Sequence, residues 1–127
     1  MNKDYVYIVA GDCMLDKFNK LYPKYNAIPF REDFSKGSYG KPYFNDDFII
    51  NRCNTHNTTK EDYINKLKPI INLDLRKEYV LCFGEDDCCK ANLKFMIDYL
   101  KNNNYKYKIR VNILNEETMD IIKEYYL

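Results

Sequence analysis

The chain has 127 residues and a mass of 15.3 kDa, enough for one domain and too short for two of ordinary size. Lysine and arginine number 20 against 19 aspartates and glutamates, so the net charge is +1, which argues against affinity for nucleic acid or anionic membrane through overall charge. Hydrophobic residues make up 46%, with 13 Tyr and 7 Phe, which is material for a packed core rather than for disorder.

The hydrophobic pattern alternates between short strand-like runs and longer helical ones. Tyr5-Val6-Tyr7-Ile8-Val9-Ala10 is continuously apolar, as in a strand buried on both faces, and stops at Gly11-Asp12. Met14, Leu15, Phe18 and Leu21 follow at helical spacing, with Asp12 placed to cap the helix and Pro23 closing it. Tyr25 to Pro29 reads as a second short strand, and Arg31 to Tyr43 as a loop containing Gly37, Gly40 and Pro42. From Phe44 to Arg52 the spacing is helical but short. Thr59-Lys60-Glu61-Asp62 marks a further helix start, with Tyr63, Ile64, Leu67, Ile70 and Ile71 on one face and Pro69 ending or kinking it. Glu78 to Phe83 is a third buried strand, ending in Gly84-Glu85-Asp86-Asp87. Cys89, Leu93, Met96, Ile97 and Leu100 recur at three- and four-residue steps, a helix that Asn102-Asn103-Asn104 terminates. Lys106 to Leu114 alternates as a fourth strand, and Asn115 onward, with Met119, Ile121, Ile122 and Tyr125, reads as a capped terminal helix. The expected fold is one α/β domain over residues 1–127: three layers, with a mostly parallel four-stranded sheet flanked by helices in the Rossmann-like manner. No apolar run approaches the roughly 20 residues that span a bilayer, and Met1-Asn2-Lys3-Asp4 enters the first strand at once, so the expectation is a cytoplasmic protein without a signal peptide or membrane partner.

Open α/β sheets bind ligands outside the carboxyl ends of their strands, where strand order reverses. Two strands here end alike, at Gly11-Asp12 and at Gly84-Glu85-Asp86-Asp87, and if they are neighbours their acids converge. Helix capping accounts for some of these carboxylates; a site for a cation, a metal-bridged phosphate or ligand hydroxyls accounts for the cluster. Neither GxGxxG nor GxxxxGK[ST] occurs, so a phosphate needs Arg31, Arg52 or a divalent ion. The alternative for either arginine is a surface charge or an ion pair with neighbouring acids.

Five cysteines without secretory context speak against a disulfide framework. Cys53, His56, Cys88 and Cys89 offer zinc donors, but adjacent cysteines diverge on a helix and buried free thiols are the simpler reading. His56, in the polar run Asn51 to Thr59, reads as a surface histidine. The single histidine and the absence of a GxSxG elbow leave acyl transfer without its parts. Cys89 falls on the apolar helix face and reads as core, with Cys88 outward. Tyr5, Tyr7, Tyr79 and Tyr107 fall on strands, while Tyr39, Tyr43, Tyr105, Tyr125 and Tyr126 read as more exposed, and no RNP-like pattern favours nucleic-acid binding.

Three blocks in order, Val6 to Asp12, Ile28 to Gly37 and Val80 to Leu93, make the chain resemble the bacterial DUF1835 domain family over about residues 4–114. The resemblance implies site positions Asp12, Arg31, Glu32, Glu85, Asp87, Cys89 and Asn92; Ser38 and Lys90 depart from the family's usual Pro and Gln, and a further C-terminal region of many members has no counterpart here. The family carries no established activity. Two function classes follow. The first is a domain binding a polar or nucleotide-like small molecule through Asp12, Arg31, Glu32, Arg52, Glu85, Asp87 and Asn92. Were it an enzyme, the chemistry would be metal-assisted phosphoester hydrolysis, with Asp12, Glu85 and Asp87 holding Mg²⁺ or Mn²⁺ and Arg31 or Arg52 stabilising phosphoryl charge. The second is a non-catalytic module, a stand-alone inhibitor or adaptor of mobile-element type, that binds a protein partner through a tyrosine-rich face.

Overall fold

The computed structural model describes residues 1–127 as β1 (Val6–Ala10), α1 (Gly11–Leu21), β2 (Asn26–Phe30), α2 (Asp46–His56), α3 (Lys60–Ile71), β3 (Tyr79–Phe83), α4 (Asp87–Asn102), β4 (Arg110–Leu114) and β5 (Ile121–Tyr126). The strands form one sheet in the order β2-β1-β3-β4-β5, the first four parallel and β5 antiparallel to β4. The continuously apolar runs of β1 and β3 lie inside the sheet, where both faces are covered; all five residues of β3 are buried. No helix is long and apolar enough to cross a membrane.

Right-handed crossovers assign the layers. From β1 to β2 the chain moves one way across the sheet, and from β2 to β3 to β4 it moves the other, so α1 covers one face and α3 and α4 the opposite one. Alternation of side chains agrees. Tyr7 meets Phe18 of α1 with ring centroids 5.4 Å apart, whereas Phe30 and Phe83, pointing the other way, meet each other at 5.6 Å, and Phe30 lies 6.1 Å from Phe95 of α4. Around Phe95, which is fully buried, the aromatics of the Arg31–Asn45 connection close the second layer: Phe34 stacks on it at 4.1 Å and Tyr43 lies at 5.0 Å.

The structure departs from the sequence reading in its final third. The sheet has five strands rather than four, because the expected terminal helix stops after one turn. Asn115 does cap that turn, its Oδ1 accepting from the amides of Glu117 and Thr118. Met119 then adopts φ +63 and buries its side chain, which reverses the chain into β5. The run Ile-Ile-Lys-Glu-Tyr-Tyr suits a strand as well as a helix, and pairing with β4 decides it. β4 itself begins at Arg110, not Lys106, and Tyr107 is 40% exposed outside it. The segment expected to be a polar loop around His56 is the last turn of α2, started by Asn45, whose side chain accepts from the Phe48 amide. Pro69 lies inside α3, which continues to Ile71.

Candidate functional site

The turns after β1 and β3 lie side by side, because those strands are hydrogen-bonded neighbours. Strand order reverses at this point, and a cleft of about 750 Å³ opens there between the first turns of α1 and α4. Its walls are Gly11 and Asp12 from the first turn, Arg31 to Asp33 after β2, Asp86, Cys88 and Cys89 from the third-strand turn, and Glu116 after β4. Lys17, His56, Tyr63 and Lys66 complete the rim.

Asp12 does not cap α1. The N-cap position is Ala10, which contributes no side-chain hydrogen bond, so the first-turn amides beside the cleft have no side-chain acceptor. Asp12 instead stands exposed in the first turn, where Arg31 Nε donates to its Oδ1 at 2.9 Å. The pair is solvated and contributes little to stability, so both groups remain open to a ligand. Gly11 makes the turn at φ +75. A Cβ there would meet nothing within 4 Å, which leaves only the backbone penalty, and Gly11→Ala is expected to cost about 1–2 kcal/mol in urea denaturation. Gly84 serves differently. A Cβ on it would lie 2.1 Å from Glu116 Oε1, so glycine there admits the Glu116 side chain.

Glu32 and Arg52 are brought together, but away from solvent: both side chains are 0% exposed. Arg52 donates from Nε to Glu32 Oε2 at 3.0 Å and from Nη2 to Oε1 at 2.9 Å, a two-pronged pair. Its other donors reach the carbonyls of Asp33 at 2.9 Å, Lys36 at 2.9 Å and Ser38 at 3.1 Å. Phe34 covers the guanidinium face at 4.7 Å. All five N–H groups are thus engaged, and Arg52 is not the phosphate or ligand contact that its position in the sequence implied. It fastens the Arg31–Tyr43 loop to α2. Glu32 also accepts from the Asp33 amide at 2.7 Å and the Tyr63 hydroxyl at 2.5 Å, and it meets His56 Nε2 at 2.5 Å. Burial raises its pKa, but the hydrogen bonds from Arg52 and Tyr63 outweigh it and hold the carboxyl below its usual range. His56 is therefore a half-buried partner of this pair at the cleft wall rather than a surface histidine.

Asn92, also buried, spends its amide on the same loop: Oδ1 accepts from the Phe34 amide at 2.9 Å and Nδ2 donates to the Glu32 carbonyl at 2.6 Å. Glu85 and Asp87 are exposed and outside the cleft. The proposed metal set of Asp12, Glu85 and Asp87 is consequently not assembled, because the turn directs Asp86, not its neighbours, inward. Asp86 caps α4, accepting from the Cys89 amide at 2.7 Å, and shares the cleft wall with Cys89 and Glu116, whose ligand atoms lie within 4.8 Å of one another. The bond from the Cys89 amide lowers the Asp86 pKa. Glu116, facing that carboxylate, is raised, chiefly by its side-chain contact with Asp86 and then by burial. Burial, together with nearby acids, pushes the thiols of Cys88 and Cys89 up to about 12, which leaves neither a ready nucleophile. All five cysteines are free.

Glu116, Asp33, Lys17 and Tyr63 were not among the residues expected at the site. Glu116 had a signal: it follows a strand end by two residues, as Asp12 follows Ala10, but reading Asn115 onward as a helix hid it. Tyr63 and Lys66 carried none, since they reach the cleft only because α3 lies across β2. No protein-family model matches the chain, and no curated protein or solved structure matches it either.

Proposed function

We propose that the chain binds a small, polar, nucleotide-like molecule at the carboxyl edge of its sheet, with an anionic group over the N-terminus of α1. The observation that carries this reading is the cleft at the strand-order reversal, bordered by a helix start that no side chain caps and by Arg31 and Lys17. Amides at a helix N-terminus point outward and carry partial positive charge, which suits a phosphate or carboxylate. Lys17 already donates to the Glu116 carbonyl at 2.7 Å, which holds its ammonium at this wall while leaving two N–H groups free. Asp33, Asp86 and Glu117 offer acceptors for ligand hydroxyls or amines across the cleft. A divalent ion, Mg²⁺ or Mn²⁺, bridging Asp12 to a phosphate belongs to the same proposal. So does kinship with the DUF1835 family, which rests on the three sequence blocks, each of which lends residues to this cleft. The proposal is of binding, since Glu85 and Asp87 lie outside the cleft and Arg52 has no free donor for phosphoryl chemistry.

Thermal unfolding with a panel of nucleoside mono-, di- and triphosphates, with and without Mg²⁺ or Mn²⁺, tests it. A ligand at about a hundred times its Kd adds about 2.7 kcal/mol to the folded state, which is an easily read rise in Tm. Arg31→Ala and Asp12→Asn are expected to remove that rise while moving the ligand-free Tm little, since the pair they break is solvated. A panel that moves no Tm, or a rise that survives Arg31→Ala, counts against the reading.

A further inference from the structure

Helix α4 carries a second feature on its outer side, remote from the cleft in chemistry and lining. Lys90, Leu93, Lys94, Ile97, Asp98 and Lys101 recur at steps of three and four, so they form one stripe along the helix. Tyr39 and Tyr43, from the connection between β2 and α2, make the opposing wall of a groove of about 540 Å³. Leu93 and Ile97 supply apolar surface between the tyrosines and the helix, and the three lysines stand exposed around it. The only acid in the groove is already engaged: the Tyr43 hydroxyl donates to Asp98 Oδ2, and Lys41 Nζ lies 3.2 Å from the same oxygen. What remains unpaired at the rim is positive.

We infer that this groove is the docking site for an acidic segment of another protein, one that presents a pair of apolar side chains flanked on each side by Asp or Glu. The charges select the partner: three free ammonium groups around apolar surface favour carboxylates at the ends of an apolar patch. The stripe covers three turns, roughly 16 Å of helix, which matches an amphipathic helix of about three turns with apolar residues at i and i+4. A nucleic-acid strand is the poorer occupant. The tyrosine rings that would stack on bases are occupied, Tyr39 against Phe34 at 4.6 Å and Tyr43 against Phe95 at 5.0 Å. Leu93 and Ile97 offer aliphatic surface, which suits apolar side chains and gives bases nothing to stack on.

The test uses a fluorescein-labelled helical peptide of about 14 residues, with a Leu pair at i and i+4 flanked by glutamates, and reads polarisation against the intact chain. A matched peptide with lysines in place of the glutamates, and a single-stranded oligonucleotide of equal negative charge, are the comparisons. The glutamate peptide is expected to bind in the micromolar range and the lysine peptide and oligonucleotide at least about tenfold more weakly. The double variant K90E/K94E and the single variant I97Q are each expected to weaken the glutamate peptide about tenfold or more. Both keep the native circular dichroism, since Lys90 and Lys94 are exposed and Ile97 is only partly buried. Peptide binding unaffected by K90E/K94E, an oligonucleotide that binds as well as the peptide, or no peptide binding at millimolar protein overturns the inference.

Discussion

Phe95→Ala is expected to lower the free energy of unfolding by about 3–5 kcal/mol, among the largest single losses available in this fold. The reason is position. Phe95 has no exposed surface and sits where three parts of the chain meet: the sheet through Phe30, the β2–α2 connection through Phe34 and Tyr43, and α2 through Phe48 at 6.3 Å. Tyr99, one turn along α4, stacks beside it at 5.6 Å. Removing the ring opens a void that none of these groups reaches without leaving its own contacts, so relaxation recovers little. Phe95→Leu keeps most of the volume and is expected to cost about 1–2 kcal/mol less than the alanine variant. Equilibrium urea unfolding followed by far-ultraviolet circular dichroism reads both. A loss below about 1.5 kcal/mol for Phe95→Ala would show that the β2–α2 connection, and not the ring, holds this layer together.

The helical repeat over Cys89 to Leu100 is regular, and β1 and β3 are continuously apolar runs that suit a doubly covered sheet, so the three-layer α/β fold was legible. Whether the turns after β1 and β3 are neighbours was a condition that the alternation left open, and the strand order β2-β1-β3 meets it. Residues 115 to 126 were not legible, because Ile121, Ile122 and Tyr125 satisfy both a helical and a strand spacing, and only the backbone reversal at Met119 and pairing with β4 choose between them. At the site, Asp12 and Arg31 lie in the cleft as a strand-end argument demands. Arg52 and Asn92, expected as ligand contacts, instead bond through their side chains to the loop that follows β2, which local sequence does not show. An arginine in a polar helix looks like a surface charge until tertiary structure folds a loop over it. Of the acids after Phe83, all three exposed, sequence could not say which joins the cleft, since one residue of turn geometry separates Asp86, capping α4 at the cleft wall, from Glu85 and Asp87 outside it.

Arg52→Met is expected to destabilise the protein by about 3–5 kcal/mol at neutral pH, and the loss should shrink as the pH falls. In the native chain Glu32 is buried, which raises its pKa, yet the bonds from Arg52 and Tyr63 bring it below the usual range. A carboxyl lowered in the folded state contributes stability above its unfolded pKa and loses it as pH falls through the folded one, so acid weakens the native protein here. Without the guanidinium, burial prevails, and the Glu32 pKa rises above its unfolded value. The sign then reverses: the variant is penalised at neutral pH, where a buried carboxylate has lost its chief partner, and relieved in acid, where that carboxyl is neutral. The two stability–pH curves should therefore converge toward pH 4 and part toward pH 7. Adding Glu32→Gln to Arg52→Met removes the stranded charge and is expected to restore part of the loss at pH 7 while flattening the difference with pH. The Asp33, Lys36 and Ser38 carbonyls still lack their donor in the double variant, so recovery stays incomplete. Urea titrations of the native chain and both variants between pH 4 and 8 decide the matter. A penalty for Arg52→Met that is constant with pH, or that grows in acid, would mean that the charge on Glu32 is stabilised by something other than Arg52, with the Asp33 amide, Tyr63 and His56 the remaining groups in contact with it.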